Sequence, residues 1–182
     1  MATFVERMMG AATLRVATYE EVENDSTATV QALAVVLLAS LAAAIGTARH
    51  SGTQGFFGGL VAALAGWIVW AFVTYVIGAR LLPEPQTRAN MGQMLRTIGF
   101  AQSPGILQLL GGIPTLGVVL LFIVQIWMLI AFVIAVRQAL DYTSTGRAVA
   151  VCLLGFIARV IVGALIMMLF HINPGNLGTI SG

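Results

Sequence analysis

Long apolar runs constrain this chain more than any other feature of its sequence. The clearest is TLGVVLLFIVQIWMLIAFVIAV, residues 115–136, whose one strongly polar residue is Gln125. A helix of about 20 apolar residues crosses the roughly 30 Å hydrocarbon core of a bilayer. Of the 182 residues, 59% are hydrophobic and only 9% are charged, whereas an average soluble domain has about 25% charged residues. The sequence therefore predicts an all-α, polytopic membrane helical bundle.

The apolar runs divide the chain into a membrane domain and two flanking segments. Residues 30–172 are predicted to be the membrane domain, preceded by an amphipathic and acidic cytoplasmic segment, 1–29, and followed by an external tail, 173–182. Five transmembrane helices are predicted, the third of them short or broken, at about residues 30–48, 56–78, 97–113, 115–136 and 148–170.

The N-terminal segment combines an amphipathic pattern with a run of acids. Residues 3–19 fit one helix, which either lies at the membrane interface or packs on the end of the bundle. Its apolar stripe is Val5, Met8, Met9, Ala12, Val16 and Tyr19. The stretch YEEVEND follows, and we expect its four acids to be solvated and to form a cytoplasmic contact surface. These acids are Glu20, Glu21, Glu23 and Asp25.

The third apolar segment, TIGFAQSPGILQLLGGIP, is interrupted by Gln102, Ser103 and Pro104. A serine followed by proline is typical of a helix N-cap and first helical position, so the pattern predicts two half-helices with a break between them. Whether this segment crosses the bilayer decides the topology.

The arginines help to decide it, because short cytoplasmic loops are enriched in basic residues. All nine basic residues are arginines, and the net charge of +2 gives no basis for nucleic-acid binding. If the third segment crosses and the N-terminus is cytoplasmic, only Arg49 lies in an external loop. The seven cytoplasmic arginines are then Arg7, Arg15, Arg80, Arg88, Arg96, Arg137 and Arg147. If the segment only dips into the bilayer and returns, five arginines lie on the cytoplasmic side and three lie outside. The count favours five spans and an external C-terminus. The use of arginine without lysine and the abundance of Ala and Gly indicate a GC-rich bacterial genome, and so a bacterial inner membrane.

Arg159 is the one charged residue within a predicted span, in GFIARVIVGAL. It lies about eleven residues from the start of the span, or about 16 Å deep at 1.5 Å per residue. Gly155 and Gly163 lie four residues on either side, on the same helix face. Since small residues mark close helix packing, we expect Arg159 to point into the bundle.

An inward guanidinium requires a polar partner, because an unpaired buried charge is unfavourable. Gln125 is the first candidate, and the carbonyl groups freed at Ser103 and Pro104 are the second. Three interpretations of this intramembrane polar site remain open: a structural clamp, a lipid or anion site, and a contact with another subunit.

The second span carries a different pattern. Gly58, Ala62 and Gly66 recur every four residues, an arrangement that allows another helix backbone to approach closely. This pattern predicts a helix-packing face.

Residues with catalytic or ligating chemistry are few. Cys152 is the single cysteine, and neither His50 nor His171 has a nearby carboxylate in the sequence. We therefore predict no catalytic residue, no metal site and no cofactor, and expect that the protein is not an enzyme.

Three stretches resemble the Ypt-interacting-protein (Yip) family, particularly its bacterial members. They are the acidic TYEEVEND, the Gly99, Phe100 and Pro104 of RTIGFAQSP, and IAVRQALDYTSTGRA at the end of the fourth span. The resemblance covers nearly the whole chain and implies a five-span bundle with a cytoplasmic N-terminus. Its eukaryotic members are associated with Rab-type GTPases through a longer N-terminal region, which is not matched here, so Rab binding is not implied.

Two functions fit these features. The first is a non-enzymatic scaffold or accessory subunit that binds membrane lipids, other integral membrane proteins or a larger complex, with homo-oligomers also possible. The alternative is a small transporter or channel whose midplane site is formed by the broken third helix, Gln125 and Arg159.

Overall fold

The computed structural model describes the backbone of residues 2–51, 56–114 and 116–169, and their side chains except at 47–58, 159 and 162–169. Every regular element within these residues is helical. In chain order they are α1 (Phe4–Ala12), α2 (Val16–Asn24), α3 (Ala28–Ser51), α4 (Phe56–Tyr75) with a π-helical extension (Val76–Leu81), α5 (Met91–Phe100), a 3₁₀-helix (Ser103–Gly112), α6 (Gly117–Ala139) and α7 (Thr145–Leu169). The predicted tail, 173–182, lies outside the described residues.

Three helical stretches are long and apolar enough to cross a membrane: Ala28–Gly46, Gly59–Leu81 and Gly117–Ala139. Thr145–Ala158 is a shorter apolar helical stretch. The prediction of a polytopic helical membrane bundle is confirmed, while the count of five spans stays a prediction.

The third segment runs alongside α3 and in the same direction. Three close backbone approaches connect them: Gly99 with Ala32, Gly105 with Ala39, and Gly46 with Gln108. The three contact positions on α3 are seven residues apart, so the contacts extend over about 21 Å of that helix at 1.5 Å per residue. At Gly46 the approach is closest, because an added Cβ atom would lie 1.9 Å from the carbonyl oxygen of Gln108. Only glycine fits at this point.

The predicted interruption of this segment is present. The α5 helix ends at Phe100, and the 3₁₀-helix begins at Ser103. Ser103 is not the N-cap, however. Gln102 occupies that position, and the buried hydroxyl of Ser103 instead donates a hydrogen bond of 2.6 Å to the carbonyl oxygen of Phe100. Since a 3₁₀-helix rises about 2.0 Å per residue, its ten residues cover about 20 Å, compared with about 15 Å for an α-helix.

The single N-terminal helix predicted over residues 3–19 is wrong. The chain forms α1 and α2, with Leu14 between them in the left-handed region at φ 62°. The reversal also splits the apolar stripe. Val5 and Met9 are exposed, whereas Tyr19 is buried and its hydroxyl donates to the carbonyl oxygen of Ala11 at 3.0 Å. Half of the stripe therefore closes the α1–α2 hairpin, and the other half faces outward.

Candidate functional site

The polar segments of the chain meet at one end of the bundle, which we call the polar cap. It comprises α1, α2, residues 82–96 and residues 137–147. Side-chain hydrogen bonds join these segments: Gln93 to Glu23, Gln138 to Glu20, Arg96 to the carbonyl of Val22, Thr87 to that of Leu140, and Gln86 to that of Asp141. Residues that are more than 100 positions apart in sequence are therefore held against each other at this end of the bundle, and the last residue of α1, Ala12, reaches Trp127 in the middle of α6.

Arg7 is the most buried charge of the cap, with 2% of its side chain exposed. It donates to Glu21 Oε1 at 2.9 Å, to Asp25 Oδ2 at 2.7 Å and to Gln31 Oε1 at 3.1 Å. The bond from Arg7 holds the pKa of Glu21 below its ordinary value. The hydroxyl of Thr27, and after it Arg7, lowers the pKa of Asp25 to about 2. Two of the four predicted contact acids are therefore engaged inside the protein.

Arg96 holds the end of α2. Its side chain is buried and donates to the carbonyl oxygen of Val22 at 2.9 Å and to that of Glu23. The last carbonyl groups of a helix have no partner within the helix and carry partial negative charge. Arg96 satisfies two of these carbonyls and so fixes the direction in which the chain enters α3.

Glu23 is a buried acid, with 6% of its surface exposed. Its Oε1 atom accepts a 2.9 Å hydrogen bond from Gln93. Burial, and after it the negative charges of Asp141 and Glu20, raise the pKa of Glu23 to about 7 against the opposing charge of Arg96. This carboxyl group therefore titrates near neutral pH.

An open groove of about 530 Å³ lies beside Glu23. Its lining is polar and consists of Glu20, Glu23, Asn24, Arg88, Gln93, Gln138, Asp141 and Tyr142. Three acids and one arginine give this groove, which we call the acidic groove, a net negative lining. It contains the other two acids predicted for contact, Glu20 and Glu23.

A second junction, for which no sequence pattern provides a signal, joins the two loops of the cap. Glu84 is buried and accepts hydrogen bonds from the backbone N–H and the hydroxyl of Thr143, at 3.0 and 2.9 Å. The hydrogen bond from that N–H group is the main reason that the pKa of Glu84 is below its ordinary value. The hydroxyl of Tyr142 donates to the carbonyls of Gly78 and Leu82. These bonds attach the α6–α7 turn to the end of the π-helix.

The candidates for an intramembrane polar site have different surroundings. Gln125 is exposed on α6, and no described residue forms a hydrogen bond with its amide group. Ser103 and Pro104 are buried, and the carbonyls near the break accept local bonds from Ala101, Gln102, Ser103 and Gly105. The side chain of Arg159 lies outside the described residues, so its inward orientation and its partner stay predictions.

The predicted packing glycines also differ. A Cβ atom at Gly155 would lie 3.6 Å from the ring of Trp70, which is ordinary packing of α7 against α4. At Gly66 an added Cβ would have no described atom within 4 Å, and Ala62 is exposed. The same is true of Gly59, one residue from the predicted pattern. The surroundings of Gly58 and Gly163 lie outside the described residues.

Long apolar helices joined at one end by a hydrogen-bonded polar cap define a polytopic α-helical membrane protein. The profile of the Yip1 domain matches residues 13–167, which is 155 of the 182 residues, and the chain belongs to this family. The resemblance found in the sequence is thus confirmed, and membership of the bacterial branch stays a prediction. No curated protein and no solved structure matches the chain significantly. Among the described residues, no group of three or more His, Cys, Asp or Glu side chains is placed to hold a metal ion.

Proposed function

We propose that this protein is a non-enzymatic membrane scaffold or accessory subunit that binds another integral membrane protein through the outward face of α4. The observation that carries this proposal is the contrast between its glycines. Gly46 and Gly99 have backbone or side-chain atoms of neighbouring segments within 3 Å of an added Cβ, whereas Gly59 and Gly66 have no described atom within 4 Å.

Glycines on the outward face of a helix that contacts only lipid lower its stability and provide no packing in return. Glycine lowers helix stability by about 1 kcal/mol relative to alanine, and it offers no side chain to pack against acyl chains. A partner helix changes this balance, because small residues allow two backbones to approach and gain van der Waals contact. The outward face of α4 thus suits a second transmembrane helix.

The acidic groove supplies a second contact, outside the bilayer. We place it on the cytoplasmic side, as the arginine distribution favours. Glu20, Glu23 and Asp141 would attract a basic segment next to the partner's transmembrane helix, and they would repel anionic lipid headgroups. This electrostatic difference favours a protein partner over a lipid at this end.

Site-specific photo-crosslinking in native membranes tests the proposal. A photoreactive residue replaces Ala62 on the small-residue face, or Ile68, which is also exposed but lies about 120° around the helix at 100° per residue. We expect a discrete protein adduct from position 62 only, and we expect Gly66→Leu to abolish it while Ile68→Leu does not. Adducts with lipid alone, or equal protein adducts at both positions, would contradict the proposal. Solute flux through the purified protein in liposomes would favour the transporter instead.

A further inference from the structure

We infer that two copies of this chain associate through α6, with their Gln125 side chains hydrogen bonded to each other. The contact surface is a stripe of four residues spaced by four, three and four positions, which we call the α6 seam: Val118, Phe122, Gln125 and Leu129. All four are exposed, the three apolar ones by 75%, 66% and 60%.

Gln125 lies deep within its helix. It is eight residues from Gly117 and fourteen from Ala139, the ends of α6, or about 12 and 21 Å at 1.5 Å per residue. A glutamine side chain is too short to bring its amide group to water over either distance. With α6 spanning the bilayer over its full length, as its length and composition allow, the donors and acceptors of Gln125 face hydrocarbon, where a polar group without a partner is unfavourable.

Among the described residues this amide has no partner, and a pair of glutamines is an alternative to the predicted bond between Gln125 and Arg159. The other face of α6 is tied into the protomer. Trp127, about 160° away around the helix from Gln125 at 100° per residue, donates a 2.7 Å hydrogen bond to the carbonyl oxygen of Ala12. The hydroxyls of Ser40 in α3 and Thr74 in α4 donate to carbonyls of their own helices, those of Val36 and Trp70.

A second copy of the chain fits the seam for two reasons. A primary amide has both donors and an acceptor, so two glutamines can bond to each other reciprocally. All copies are inserted in the same orientation, so their Gln125 residues lie at the same depth. A twofold axis along the membrane normal brings these residues together.

The spacing of the seam also suits such a pair. Steps of four and three residues keep four side chains facing a parallel partner helix at a crossing angle of about +20°. Phe122 and Leu129 would pack on either side of the amide pair and shield it from lipid. This contact is separate from the outward face of α4, so the two proposals can succeed or fail independently.

Disulfide crosslinking of the full chain in lipid vesicles locates the contact. In a Cys152→Ala background, Phe122→Cys places a thiol on the seam, and Ile123→Cys places a matched, exposed thiol 100° away around the helix. We expect covalent dimers from position 122 and few from position 123. Equal yields at the two positions, or no dimer at either, would overturn the inference.

Dissociation measured by energy transfer between labelled copies tests the role of the amide. Gln125→Leu should raise the dimer dissociation constant about 3- to 18-fold, the range that corresponds to interhelical hydrogen bonds in bilayers. Gln125→Asn should retain part of the affinity, and Ile126→Leu should have no effect. If Gln125→Leu leaves the constant unchanged, or lowers the thermal stability of the isolated protomer instead, the amide is not a dimer contact and the inference is wrong.

Discussion

At the polar cap, Arg7 and Glu84 are almost fully buried; Arg7 donates to three residues of other segments, and Glu84 accepts two hydrogen bonds from Thr143. On the outer faces of the membrane helices, Gly66 and Gln125 are exposed and have no such partner among the described residues. The cap thus satisfies its own polar groups and fixes how the helices are joined. The outer faces contribute little to that arrangement, and we propose that their exposed glycine and glutamine residues contact other molecules.

The largest effect is expected at Arg7. Replacing it with leucine leaves Glu21 and Asp25 without their common cation, and breaking a buried ion pair destabilises a protein by about 3–5 kcal/mol. Thermal or denaturant unfolding in detergent micelles measures this loss. The control is Arg15→Leu, at an exposed arginine, which should change the stability by less than about 0.5 kcal/mol. Equal effects at both positions would show that the cap does not depend on this network.

A smaller loss is expected inside the bundle at Gly46. In the Gly46→Ala variant, the added methyl group meets the backbone carbonyl of Gln108 at 1.9 Å, and neither helix can move away without losing contacts. Overpacking of this kind costs about 1–3 kcal/mol, to be measured by the same unfolding experiment. A variant as stable as the wild type would mean that α3 and the third segment are less closely packed than described.

Titration of Glu23 should give a pH-dependent effect. Its pKa is about 7 in the folded protein and near 4.5 when unfolded, so between these values the folded state binds more protons. Stability should therefore fall as the pH rises from about 4.5 to about 7, by at most about 1.4 kcal/mol per pH unit for one group.

The Glu23→Gln variant removes this titration and serves as the matched comparison. The difference in unfolding midpoint between variant and wild type should change across pH 4.5–7 and be constant above it. A constant difference over the whole range would show that Glu23 is ionised throughout.

The smallest effect is expected on the outer face of α4. Gly66→Ala adds a methyl group where no described atom lies within 4 Å, and alanine is the better helix former, so the protomer should gain up to about 1 kcal/mol. The same substitution should weaken the protein adduct formed from position 62. A loss of protomer stability would place Gly66 inside the bundle and remove the contrast between the two regions.

Part of this structure could be predicted from the sequence because it depends on local pattern. The long apolar runs predict the membrane helices, and Gln102, Ser103 and Pro104 mark the break in the third segment. The reversal at Leu14 left only an indirect mark: Gly10, four residues earlier, does not interrupt α1, but an added Cβ there would lie 2.2 Å from the hydroxyl oxygen of Thr18 in α2. The positive φ of Leu14 is imposed by the packing of α1 on α2.

The polar cap was even less accessible to prediction. The run YEEVEND predicts solvated acids, yet Glu21 and Asp25 bond to Arg7, and Glu23 is buried. These pairings join residues that are 14 to 70 positions apart in sequence. Charge patterns in a sequence indicate which end of a bundle is polar, but they do not indicate which charges will meet.

Because it contains a 3₁₀-helix, the third segment is only just long enough to reach the level of Gly46. If the ten residues of this 3₁₀-helix wound into an α-helix, the segment would shorten by about 5 Å, and its far end would no longer reach the level of Gly46. One inserted residue between Ser103 and Gln108 would turn everything beyond it by about a third of a revolution and carry Gln108 away from α3. Natural variation in length should therefore concentrate in the exposed part of residues 82–90 and be almost absent from this taut stretch.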